Sequence, residues 1–164
     1  MRLNETELIR RLTCDLPRDS SVLTGPGDDC AVLDWSGSNL LFKTDAIVEG
    51  VHFERNTPPE AIGRKALARG LSDIAAMAGT PTHALVTLGV HADMKPDLIE
   101  AVYQGLRDCA LEHRVNIVGG ETTTLPQLTL SVSLIGEATN PIHRTGSMVG
   151  DAIFVSGELG GSLA

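Results

Sequence analysis

Basic residues are scarce in this chain, with 13 Lys and Arg against 21 Asp and Glu and a net charge of −8 over 164 residues. That balance lacks the footprint that nucleic acid or an anionic membrane needs as a main partner. A nucleotide stays compatible if bound cations bring the positive charge. Aromatic residues make up only 3%, which removes stacking platforms for single-stranded nucleic acid. The three cysteines, Cys14, Cys30 and Cys109, are odd in number and without CxxC spacing. This disfavours a disulfide scaffold or zinc centre and fits a reducing cytoplasm. No apolar run is long enough to span a bilayer, and the start MRLNETELIRRL has no apolar signal core. The chain contains neither GxxxxGK(S/T) nor a GxGxxG opening a helix, so a P-loop and a dinucleotide fold are disfavoured. Without GxSxG or HExxH, acyl transfer and zinc proteolysis find no support.

What remains is an ordinary globular composition, 42% hydrophobic and 21% charged, long enough for one domain with a core. The spacing predicts a helix over 4–16, with Asn4 as its cap and Pro17 ending it. "CAVLDW" and "LLFKTDAIV" read as strands of a hairpin turning at "SGSN". A long helix follows Thr57, its expected cap, and ends before Gly79. "HALVTLGV" is a strand, 94–113 a second helix and "VNIVGG" a short strand. "LTLSVSLIGEA" alternates strictly, which predicts one buried and one polar sheet face. "DAIFVSG" begins a further strand, after which the chain ends in a Gly-rich turn, as a fragment or a partner-dependent protein would. The mixture predicts an α+β fold with a mixed, largely antiparallel sheet.

Five acids lie at strand ends, turns or among small residues: Asp28 and Asp29 (GPGDD), Asp45 (KTDAIVEG), Asp73 (GLSDIAAMAG) and Glu121 (VGGETT). Hydroxyls accompany them: Thr44, Ser72, Thr122 and Thr123. Taken singly, each reads as a turn, a cap or a surface charge. Two adjacent carboxylates in one turn repel, however, and need a positive charge to face. An oxygen-rich set with no His or Cys pattern suits a hard cation, magnesium above zinc. The usual business of such ions is to neutralise phosphate oxygens.

The order of "GPGDDCAVL", "KTDAIVEGVHF", "KALARGLSDIAAMAGTP", "VNIVGGETT" and "HRTGSMVGDAIFVSGELG" resembles the thiamine-monophosphate kinases. These belong to the superfamily of aminoimidazole ribonucleotide synthetase and selenophosphate synthetase. The resemblance implies the superfamily's N-terminal domain, with helices on one face of the sheet and sheets paired across a homodimer. It implies ATP-dependent phosphorylation of thiamine monophosphate to thiamine diphosphate, with several Mg²⁺ ions. By motif position, Asp29, Asp45 and Asp73 would ligate magnesium, with Thr44 adding an oxygen and Asp28 and Glu121 on the metal side. His52 matches a substrate contact, Gly120, Glu121 and Arg144 match ATP contacts, and Tyr103 would lie near the adenine.

The chain departs from the family in carrying Glu121 where Asp is usual. Lys43 stands where a small hydroxyl residue usually offers a ligand; a charged lysine cannot ligate, so a metal is lost or the ammonium takes its place. The implied organisation is an N-terminal helix and loop over 1–24, an ATP- and Mg-binding domain over 25–150, and from 151 the start of a C-terminal domain. The 164-residue chain alone is expected to turn over at least roughly a thousandfold below a two-domain enzyme, about 4 kcal/mol of transition-state stabilisation. Two alternatives stay open: a related ATP-using enzyme with another phosphate acceptor, and a non-catalytic nucleotide-binding dimerisation module.

Overall fold

The hairpin is the simplest element to account for. Strands β2 (Ala31–Trp35) and β3 (Ser38–Val48) are joined by Ser36 and Gly37 alone, with φ of 55° and 84°. Two consecutive positive φ values give a turn whose twist matches that of the flanking strands. The Asp34 carboxylate secures it by accepting the Gly37 N–H at 3.0 Å. A computed structural model describes residues 5–155, 157 and 158. Around the hairpin it places α1 (Glu5–Thr13), β1 (Val22–Thr24), α2 (Pro59–Ala76), β4 (Thr80–Val90), α3 (Pro96–Glu112), β5 (Asn116–Thr124) and β6 (Thr129–Ala138).

One six-stranded sheet runs in the order β1-β2-β3-β6-β4-β5. Every neighbouring pair is antiparallel except β4–β5, which α3 joins as a crossover, as a parallel pair requires. The alternation expected of β6 is present: Leu130, Val132 and Leu134 are buried between half-buried Thr129, Ser131 and Ser133. Helices α2 and α3 cover one sheet face, where Leu41, Ile47, Val86, Leu88, Leu130, Val132 and Leu134 form the core with Leu67, Ile74, Leu106 and Met77. The opposite face is open, and Phe42 and Leu85 stand exposed on it.

Helices α2 and α3 pack with backbones in contact. A Cβ on Gly63 would lie 1.8 Å from the Val102 carbonyl, and one on Gly105 would lie 1.8 Å from that of Glu60. Only glycine fits either position.

Some expectations shift. Asn4, the expected cap of α1, lies outside the described residues. Thr57 does not cap α2: the N-cap is Pro58, with no side-chain bond. The Thr57 N–H instead closes the preceding turn on the Glu54 carbonyl, and the helix starts one residue later than expected. β5 runs on through Glu121 to Thr124 because β4 offers it a continuous parallel partner. Of the strand expected at "DAIFVSG", residues 151–155 and 157 are described and none is in a strand. Ile153 and Phe154 lie exposed, with no strand edge beside them among the described residues. Among the described residues no helix is long and apolar enough to cross a membrane.

Candidate functional site

Four of the five acids converge on one region at the helix-covered side of the sheet. Alternation along β3 turns Leu41, Lys43, Asp45 and Ile47 toward the helices, and α2 presents Asp73 there. The turn before β2 supplies Asp28 and Asp29. Asp45, Asp73 and Ser72 line one cleft of about 380 Å³ together with Lys65 and Arg69. The buried Cys30 thiol registers the cluster: burial, then the charges of Asp73, Asp29 and Asp28, push its pKa up to about 11, with Lys43 opposing.

Each of these carboxylates already faces a side chain of the chain itself, three of them a Lys or Arg and Asp28 a histidine. Lys43 Nζ lies 2.6 Å from Asp73 Oδ2. The Arg69 guanidinium spans Asp45, donating from Nε and Nη2 to the two carboxylate oxygens at 3.4 and 3.3 Å. His143 Nδ1 lies 2.9 Å from Asp28 Oδ2. Arg144 donates to Asp29 Oδ1 from Nε at 3.1 Å and also from Nη2. Burial would raise the Asp28 pKa, but the Asp29 backbone N–H, His143 and the Arg144 N–H together hold it below its ordinary value. The positive charge that the paired carboxylates of the GPGDD turn need is therefore supplied by Arg144, 115 positions beyond Asp29, with His143 bonded to Asp28 beside it.

Met77 assembles this corner. It ends α2 with its N–H on the Asp73 carbonyl, and its own carbonyl accepts the Ile142 N–H at 3.2 Å. Its sulfur receives the Cys30 N–H at 3.1 Å. The α2 C-terminus, the acid turn and the segment carrying His143 and Arg144 are thereby held together.

His52 sits in a tight turn after β3. Its Nδ1 accepts the Val48 N–H at 3.1 Å, which leaves the ring proton on Nε2 as a donor, and Lys65 binds its carbonyl. Tyr103 is half-buried on α3 against the core.

Two expected ligands are not in the cluster. Thr44 alternates to the open face, where its hydroxyl meets those of Ser131 at 3.5 Å and Ser133 at 3.3 Å. Glu121 pairs with Thr87 on edge strand β5, three positions from β3 in the strand order. Register places it on the same open face as Thr87, not with Asp45. Gly120 is tightly held there, since a Cβ would lie 1.8 Å from the Val86 carbonyl.

Residues 27–138 match the family described as AIR synthase related protein, N-terminal domain. The chain belongs to that family. Among curated relatives, the thiamine-monophosphate kinase of Rhodopirellula baltica is 41% identical over 165 residues, covering 94% of this chain and 51% of that protein. That of Aquifex aeolicus is 38% identical, covering 84% and 45%. The solved structure of AaThiL complexed with AMPPCP and TMP superposes with a TM-score of 0.80 at 32% identity, covering 92% of this chain and 48% of that one. The chain thus spans about half the length of the relatives it matches.

The donor chemistry of the cluster, carboxylates and hydroxyls without thiolates, fits a hard cation. In this conformation, no group of three or more His, Cys, Asp or Glu among the described residues closes into a ligand set, and Lys43, Arg69, His143 and Arg144 lie against the carboxylates. Lys65, Arg69 and His143 escaped the sequence reading. Arg69 carried a signal, lying one helical turn before Asp73 and so on the same stripe of α2. His143 carried none, since only the fold brings it to Asp28.

Proposed function

We propose that this chain is the nucleotide- and metal-binding part of an ATP-dependent kinase that converts thiamine monophosphate to thiamine diphosphate. The observation that carries the reading is the gathering of Asp28, Asp29, Asp45 and Asp73, from three separate segments, at one corner of the sheet. The relatives named thiamine-monophosphate kinase and the likeness to AaThiL complexed with AMPPCP and TMP support the choice of acceptor.

In this reading Asp28, Asp29, Asp45 and Asp73 hold Mg²⁺, which would supply positive charge for the phosphate oxygens. The protein's own part is positioning and charge neutralisation, since phosphoryl transfer asks little covalent chemistry of the enzyme. Arg144, once released from Asp29, is placed to meet nucleotide phosphates. His52 offers its Nε2–H to the acceptor's phosphate, its ring fixed by the Val48 amide. Gly120 and Glu121 serve the nucleotide from edge strand β5 and Tyr103 from α3, while Thr44, turned to the open face, stays outside the metal set. The open sheet face pairs with that of a second chain in a homodimer, and the protein works in the cytoplasm, consistent with three free cysteines.

Asp29→Asn tests the reading. It should weaken binding of Mg·AMPPCP at least tenfold by calorimetry while the circular dichroism spectrum stays that of the wild type. Unchanged affinity would remove the acid turn from the site.

A further inference from the structure

The four carboxylates are not held alike. Asp28 and Asp29 are paired by His143 and Arg144, which belong to a segment of no regular structure; Arg144 is 60% exposed at its side chain. Asp73 and Asp45 are instead paired by Lys43 and Arg69, both carried on the packed elements β3 and α2. Lys43 and Asp73 are three-quarters covered, with side-chain exposures of 24% and 25%. A pair so placed on two rigid elements has little conformational freedom left to lose. Lys43 also sits in a wider field than a single ion pair, because its charge and those of Asp73, Asp29 and Asp28 all act on the Cys30 thiol. Arg69 reaches both oxygens of Asp45 from α2 at 3.4 and 3.3 Å, long for a tight fork, so it faces the carboxylate chiefly as a positive charge.

We propose that Lys43 and Arg69 are resident counter-ions: their side chains, carried on the packed elements β3 and α2, occupy the cation positions at Asp73 and Asp45, so the chain takes up divalent cations at Asp28 and Asp29 only. The proposal rests on the reading of Asp28 and Asp29 as Mg²⁺ ligands and revises that of Asp45 and Asp73, which keep their side-chain cations in place of an ion. It makes Lys43 and Arg69 positioning residues for the phosphoryl donor, bringing positive charge that no change in free magnesium removes. A lysine ammonium beside a carboxylate also offers its remaining N–H groups to a phosphate oxygen, as a metal offers open coordination positions.

The test counts Mn²⁺ ions bound to the chain by electron paramagnetic resonance, with and without AMPPCP, in the wild type, K43M, K43R and R69Q. Methionine keeps the stem of Lys43 and removes only the charge. K43M should bind one Mn²⁺ per chain more than the wild type, R69Q likewise, and K43R should match the wild type. Nucleotide affinity should also come to depend more steeply on Mn²⁺ concentration in K43M. An equal, non-zero count in all four proteins overturns the proposal and leaves the proposed function standing. A lowered melting temperature in K43M without an added ion also overturns it, assigning the pair a structural role alone. If K43M does not fold, the R69Q count decides by itself. No Mn²⁺ bound by any of the four overturns the proposal together with the function on which it rests.

Discussion

Asp73 illustrates how one partner reverses the sign of a prediction. Seen as one of several crowded acids, its replacement by Asn would relieve repulsion and stabilise the metal-free protein. Lys43 lies 2.6 Å from it, however, so Asp73→Asn removes one carboxylate and strands one ammonium in a three-quarters covered position. The expected outcome in EDTA is a loss of about 1 kcal/mol, and Lys43→Met with Asp73→Asn should lose less than the two single changes added. Denaturant midpoints of the four proteins measure it. At this scale the sequence was informative about residue type and blind to partners. The acid-and-hydroxyl pattern exposed Asp28, Asp29, Asp45 and Asp73 because two adjacent carboxylates, or an Asp among small helix residues, are unusual without a counter-charge. The identity of that counter-charge is tertiary information: His143 reaches Asp28 across 115 residues, and no local rule contains that distance.

Among the elements, a strict constraint is the helix crossing at Gly63 and Gly105. A methyl at either would meet a backbone carbonyl at 1.8 Å, and backbone cannot swing aside as a side chain can. Gly63→Ala should therefore cost about 3 kcal/mol or more by overpacking, despite the higher helix propensity of alanine. Gly70→Ala, where the added methyl would meet a Leu134 side-chain carbon at an ordinary 3.4 Å, should be neutral or slightly stabilising. Thermal denaturation of the two variants separates the cases. The elements were legible because their periods are distinct: α2 carries its apolar stripe at helical spacing and β6 alternates without a break. Two details were misplaced. Thr57 is not the cap because the helix begins one residue later, with Pro58 at the N-cap, and the described residues of "DAIFVSG" pair with no strand. The faces of Thr44 and Glu121 followed from alternation and register, and register requires knowing which strands pair.

For the whole molecule, the uncovered sheet face is the largest feature that one chain leaves unresolved. Phe42, at 46% exposure, and Leu85, at 49%, stand there with Ile135 around a small apolar hollow. If that face pairs with a second chain, sedimentation at micromolar concentration should give a dimer, and Phe42→Asp should give a folded monomer with an unchanged circular dichroism spectrum. A monomeric wild-type chain would contradict the homodimer.

The long ladder between β3 and β6 also sets a problem for the nascent chain. The final partner of Val48 is Thr129, so the ribosome must add some eighty residues before β3 can be closed along that edge. At cellular synthesis rates the delay is on the order of ten seconds, far longer than the microseconds a hairpin such as β2–β3 needs to form. During that interval an apolar strand carrying Leu40, Leu41 and Phe42 waits with one row of backbone amides and carbonyls unclaimed, a template for any extended chain nearby. The charged residues Lys43 and Asp45 interrupt that strand just beyond its most apolar stretch. Besides their place in the site, charges at these two positions make the newborn strand a poorer template for a wrong partner until β6 arrives.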